Sequence, residues 1–365
     1  MTERPRWKSP LLGTFVLATV LLVAVSGWLL TDPATTRADA LRTGGLAAGA
    51  VVALYALWLN DRRRQVEENR QRVERERYEL ELLRAERDRE RVTDERFGKS
   101  VELLGSDADQ VRVGALHALA GVARASSGYT QTVLDVLCAY LRRPFDHPRY
   151  HGEDDEPDEP DPVAERELQV RLTAQRLIVD LLPPAGAAAP AYDLDLTGAV
   201  LEYFELTGRK VGTLVLRYAR LYSSSNLSGT EFTGPVWFTR ATTGEGRLSG
   251  RFRCQGAHFR SRAWFSGVHF GFSAWFDRAR FDGETAFKGM VCTGDFSLRD
   301  AVFATSLDLH QAEFGSDVDL RFTAPQPAIS LDNTIVGPDH NIELPDGWAT
   351  ETLDSHRARI RVHKA

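Results

Sequence analysis

Residues 257–281 read AHFRSRAWFSGVHFGFSAWFDRARF, with phenylalanine at Phe259, Phe265, Phe270, Phe276 and Phe281. The steps between them are six, five, six and five residues. On a helix, at about 100° per residue, such steps rotate each ring roughly 120–140° from its predecessor, so no common face results. On a long strand a step of six keeps the face and a step of five reverses it. The chain must therefore turn between one phenylalanine and the next, and each unit is a short strand followed by a turn.

The register extends in both directions. Phe259, Phe270, Phe281, Cys292, Phe303 and Phe314 form one eleven-residue series; Phe265, Phe276, Phe287, Leu298, Leu309 and Leu320 form the other. Toward the amino terminus the steps settle to five through Leu221, Leu216, Val211, Leu206, Leu201 and Leu196, with Leu227, Phe232, Phe238, Thr243, Leu248 and Cys254 joining the halves. Of these 24 rung positions only Thr243 is polar. Two residues before a rung the side chain is usually small or apolar, as at Ala257, Ala263, Val268, Ala274, Ala279, Ala301, Ala312 and Val318. Positions i−2 and i thus share the buried side of a three-residue strand. A repeat this short cannot bury its apolar side alone, and stacked turns about 4.8 Å apart do so as a β-helix.

The units AVLEY, ARLYS, AHFRS, ARFDG, AVFAT and AEFGS make residues 193–321 similar to the pentapeptide-repeat family. The resemblance implies an all-β, right-handed quadrilateral β-helix with four rungs per coil, hence about six coils for 24 rungs. Departures are the six-residue steps, Arg209 at an inward position, and ATTGEGRLSG, which predicts a loop near Thr243–Gly250. Some members mimic duplex DNA and protect type II topoisomerases. That role needs an acidic face, yet residues 191–330 hold fifteen acids and fifteen Lys or Arg.

Residues 1–60 are of another kind. Residues 10–30 carry no charge and, at about 1.5 Å per residue, span roughly the 30 Å of a bilayer core. A second apolar run, 43–59, follows too closely and the first is too long for a secretory signal peptide, so a transmembrane helical hairpin is expected. Arg4, Arg6 and Lys8 before it and Arg62, Arg63 and Arg64 after it place both ends, and the β-helix, on the cytoplasmic side of a bacterial inner membrane. In this arrangement the chain also resembles membrane-anchored bacterial members of the family. Gly45 and Gly49 form a GxxxG pattern suited either to packing within the hairpin or to joining two copies.

Residues 61–93 read as a charged helical stalk, with Val66, Val73, Leu80 and Leu83 as a short coiled-coil pattern broken by Arg87; a solvated single helix is the preferred reading. Residues 94–190 hold a small helical bundle in which Asp109 and Thr130 are expected to cap helices, interrupted by the acidic linker 151–162. Its last helix, ending at Leu182, is expected to cap the first coil. Residues 191–325 form the β-helix, and 326–365 a carboxy-terminal cap and a frayed basic tail.

No nucleotide-binding, hydrolase or metalloprotease motif occurs, and three scattered cysteines make neither a disulfide framework nor a zinc pattern. His258 and His269, eleven residues apart, fall on opposite sides of a four-rung coil, and His147 and His151 flank a proline. No catalytic, cofactor or metal site is expected. The net charge of −6 without a basic patch gives no reason to expect nucleic acid. The expected function is a non-catalytic, membrane-anchored scaffold that docks a cytoplasmic protein. The outward Trp264 and Trp275 are the candidate contact residues, and an auxiliary subunit of a membrane enzyme or transporter is an alternative.

Overall fold

The computed structural model describes residues 10–31, 37–151, 161–244, 249–323 and 328–362. They fall into two compact units, Met1–Arg91 and Val92–Ala365.

In the first unit, helix α1 (Pro10–Leu29) and the start of α2 (Arg37–Leu104) are each long and apolar enough to cross a membrane. They meet where the Ser26 hydroxyl donates to the Ala40 carbonyl at 3.2 Å. Gly44 makes that approach possible, since a Cβ there would lie 2.1 Å from Ser26 Oγ. Gly45 and Gly49 have no atom within 4 Å of such a position, so the hairpin closes on neither. Helix α2 runs 68 residues without a break, joining the expected stalk to the first bundle helix. Beyond the apolar segment α2 has one glycine, Gly98, which costs only about 1 kcal/mol in a helix that has no proline and is already nucleated. Val73, Leu80 and Leu83 are exposed on it.

The second unit begins with the end of α2 and continues through α3 (Asp109–Ala125), α4 (Thr130–Leu141) and α5 (Pro162–Leu181). Asp109 and Thr130 are the first residues of their helices rather than caps. Asp161 does cap α5, accepting from the Val163 N–H at 2.8 Å ahead of Pro162 in the first turn. Most of the acidic linker, residues 152–160, lies outside the described residues. Leu116, Leu119, Leu134, Leu137, Leu177 and Ile178 are buried in one core that continues into the solenoid.

There the expected strand-and-turn units appear. Strands 258–259, 263–264, 269–270 and 274–275 occupy four successive sides, and 280–281 pairs with 258–259 to begin the next coil. Neighbouring coils are parallel and in register, as for Trp264 with Ala286, 22 residues on. The i−2 positions of one side, Leu194, Leu214, Val236, Ala263, Thr285 and Leu307, are all buried, as are the rungs that follow them from Leu196 to Leu309. Phe232, Phe259, Phe281 and Phe303 stack at centroid spacings of 4.9, 4.6 and 4.7 Å. Each fully buried ring contributes roughly 1.5–3 kcal/mol relative to exposure.

The solenoid has about 7 turns, one more than the rungs imply. The extra turn, strands Ala328–Ser330, Ile335–Val336 and Ile342–Glu343, was assigned from sequence to the cap, because the spacing from Leu320 breaks at Pro325 and Pro327. The basic tail is not frayed through Val362. Ala358–Val362 pairs antiparallel with both Ile335–Val336 and Trp348–Thr352, burying Ala358 and Ile360.

At the other end Gln131 acts as a surrogate strand. Its amide donates to the Asp193 carbonyl at 2.9 Å and accepts from the Asp193 N–H at 2.8 Å, satisfying an edge that would otherwise invite pairing. Arg209, anomalous by the repeat, donates to the Leu182 carbonyl at 3.3 Å, where α5 leaves its last carbonyls unpaired.

The coil interrupted by the loop closes with Phe232, Phe238, Thr243 and Cys254; Leu248 lies outside the described residues. Thr243 is 2% exposed between Leu221 and Phe270, and its hydroxyl has no hydrogen-bond partner among the described residues. Thr243→Val is therefore expected to stabilise the chain by about 1–2 kcal/mol, read as a higher urea midpoint in mild detergent. An unchanged or lower midpoint would show that the hydroxyl is satisfied.

Candidate interaction surface

Each three-residue strand turns two side chains inward and the one between them outward, so the four sides carry four different columns. On one side the column is Val215, Trp237, Trp264 and Ala286, in register on adjacent strands. The Trp237 and Trp264 rings meet edge to face with centroids 3.9 Å apart. The Arg217 guanidinium lies 4.2 Å from the Trp237 centroid, and Arg262, 5.8 Å from that of Trp264, also pairs with Glu284 at 3.1 Å. Both indoles are half-buried.

Trp275 stands in the opposite sheet, as the eleven-residue offset requires, between Arg253 and Ser297. Arg251 covers it at 5.0 Å. Farther along the same side Arg321 pairs with Asp319 at 2.6 Å and Glu343 at 3.6 Å, and Ser297 bonds Asp277. Arginine over an indole shields its face while leaving the charge available at the surface.

The remaining sides carry His258 and His269, which do not converge. His258 Nε2 lies 2.7 Å from Asp282 Oδ2, and Arg280 reaches the other oxygen at 2.7 Å. Burial opposes ionisation of Asp282, but these hydrogen bonds and the adjacent positive charge outweigh it and hold its pKa below the usual range. Glu231 is lowered too, first by the Gly186 N–H donated to it, against a burial penalty, and then by Arg260 at 2.7 Å.

The first coils of the His269 side are covered by the segment between α4 and α5. Tyr150 stacks on Tyr222 at 3.9 Å and 7°, and its hydroxyl donates to Glu202 at 2.9 Å. Burial, reinforced by the Glu202 carboxylate, pushes the Tyr150 phenol well above its ordinary value. Beneath it the buried Arg171 donates to the Leu141 and Arg143 carbonyls and lies 4.7 Å from the Phe145 ring. Arg112, Tyr140 and Glu167 continue this network, and burial and the Glu167 charge raise Tyr140 to about 12.

The cysteines of the described residues are not activated as nucleophiles. Burial raises the Cys138 and Cys292 thiols to about 12 and Cys254 well above its ordinary value, so all three stay protonated at neutral pH. His147 and His151 do not act together: His147 accepts from the Arg149 N–H at 3.1 Å, and His151 pairs with Asp146 at 3.1 Å. Among the described residues no three His, Cys, Asp or Glu side chains are placed to hold a metal ion. A groove of about 490 Å³ on the His269 side runs past Thr293, Gly315 and Gly337 to Arg357, whose charge is met by Asp354 at 2.8 Å.

The sequence register located Trp264 and Trp275 but not Trp237. Trp237 precedes Trp264 by 27 residues instead of the usual 22, because the loop after Thr243 lies between them. The Tyr150 strap has no periodicity by which it could be found. No protein-family model, curated protein or solved structure matches this chain.

Proposed function

We propose that this protein is a membrane-anchored, non-catalytic scaffold of the bacterial pentapeptide-repeat type, presenting its solenoid to a protein partner on the cytoplasmic side. The reading is carried by one observation: the interior of the repeat is filled by its own side chains, so its chemistry is offered on four outer columns, two of them with half-buried indoles. Rigid stacked faces of this kind are recognition surfaces by default. The five-residue steps favour the family, and the arginines flanking the two apolar helices favour the orientation. Gly45 and Gly49, open outside the hairpin contact, together with the exposed Val73, Leu80 and Leu83, favour a homo-oligomer through α2. DNA mimicry is disfavoured by the balanced charge of residues 191–330, and an auxiliary role beside a membrane enzyme or transporter is the second reading.

Cross-linking mass spectrometry on native membranes, with the parent chain and a Trp264→Ser/Trp275→Ser variant, tests the scaffold. Reproducible links from residues 193–321 to one cytoplasmic protein, lost in the variant, are expected. Self-links alone, unchanged by the substitutions, would overturn docking through these faces, and turnover by the purified chain would overturn the non-catalytic role.

A further inference from the structure

The two tryptophan sides differ in charge. On the Trp264 side and the corner that follows it, the adjacent coils from Val215 to Lys288 carry Arg217, Arg240 and Lys288, while Arg262 and its partner Glu284 stand just before the side. Asp195 in the coil before, tied to Arg142, and Asp308 in the coil after mark the limits of the patch. On the Trp275 side toward the carboxy terminus Asp277, Asp295, Asp300, Asp317, Asp319 and Glu343 outnumber Arg278, Arg299 and Arg321.

Left-handed backbone recurs two residues after a rung on this side, as it does elsewhere in the solenoid at Tyr203, Ser223, Arg278 and Asp300. In the corner column after this side, Gly198, Gly267 and Gly289 take φ of +67°, +64° and +61°, the left-handed region that suits glycine. Tyr218 and Arg240 occupy that column with φ of +58° and +53°, and Tyr218 remains 56% exposed. A β-carbon is disfavoured there, and a phenol held out in water does not offset it by burial within the fold. Exposed tyrosine, edge-packed indoles and arginines form the mixture that settles at a lipid–water boundary.

We propose that the Trp264 side is a docking surface for anionic lipid headgroups, bound by Arg217, Arg240, Arg262 and Lys288 with Tyr218, Trp237 and Trp264 at the interface. The occupant follows from charge complementarity and from the chain itself: two helices able to cross a membrane hold a headgroup layer at high effective concentration. The inference rests on the membrane-anchored reading. It leaves the acidic Trp275 side for a protein.

The test uses the full chain in nanodiscs of phosphatidylcholine, with or without phosphatidylglycerol. Because Cys138, Cys254 and Cys292 are buried, a nitroxide can be placed selectively at Ser266→Cys on this side or Ser297→Cys on the opposite one. With phosphatidylglycerol the label at 266 is expected to lose accessibility to a water-soluble relaxant, while that at 297 is unchanged. Each of the four cations replaced by glutamine should lower the docked-to-free ratio about fivefold. On the unsubstituted face, raised salt should release the label at 266, a check that needs no fold-altering change.

A chain that stays in the bilayer through an alkaline carbonate wash, yet shows equal exposure at 266 in both lipids, overturns docking and leaves anchorage standing. A chain stripped by that wash overturns both. Protection at 266 in native membranes but not in anionic nanodiscs overturns lipid as the occupant in favour of a protein.

Discussion

Replacing Phe281 with alanine is expected to destabilise the solenoid by about 3–5 kcal/mol, the range for removing a buried ring whose cavity cannot collapse. Phe281 is fully buried between Phe259 and Phe303, nearly parallel to both at 3° and 4°. Its backbone is fixed by parallel pairing to the coils on either side, so the walls of the vacated space cannot close without breaking register. Trp275→Ser, on the coil before but outward and half-buried, should cost far less because water can replace the lost contacts. Urea titration of both variants in mild detergent decides the matter. Equal losses would mean that the outward indoles are as integral to the fold as the rungs.

The second large effect is expected at Arg171, 1% exposed where the helices meet the first coil. Burial lowers its pKa, with Glu167 at 3.8 Å opposing that shift, so the charge is kept by its surroundings rather than by water. Arg171→Met removes the donor from the Leu141 and Arg143 carbonyls and the cation from the Phe145 ring, and should cost about 3–5 kcal/mol. The loss should be local as well as global, with Cys138 in α4 labelled by thiol reagents much sooner than Cys292 in a distant coil. Lys99→Gln, which breaks an exposed pair with Glu102, is the control and should move stability by no more than about 0.5 kcal/mol. Parallel labelling of both cysteines would show that Arg171 does not hold the helical cap separately.

The repeat was legible because one geometric constraint recurs: a side chain that must face inward every five or six residues is apolar nearly every time, and its i−2 neighbour is small. Thr243 shows how strict that constraint is, since the sole polar rung also has a buried hydroxyl with no partner among the described residues. Where the constraint lapses, the reading failed. The seventh turn passed for a cap because two prolines interrupt the spacing from Leu320. The boundary drawn between the stalk and the bundle at residues 93 and 94 falls inside the unbroken α2, because local helix preference carries no mark where a solvated helix becomes a packed one. For the candidate surface, outward position and opposite placement of Trp264 and Trp275 followed from the register, whereas the arginine cover, the pairing of Trp237 with Trp264 across the loop and the Tyr150 strap depend on three-dimensional neighbours that no periodicity encodes.

The solenoid's ends make its length adjustable without making it open-ended. Gln131 terminates one end with a side-chain amide, and the antiparallel strand Ala358–Val362 reverses direction at the other. The columns they close offer no parallel backbone template to another coil, which opposes end-to-end addition of chains there, although Ala328–Ser330 and Ile342–Glu343 end their own columns among the described residues. A further 22-residue unit inserted between two central coils meets the same pairing on both sides as the units already there. Length can therefore vary by whole coils at the centre while both terminators stay intact, and each added coil would extend every outer column by one side chain.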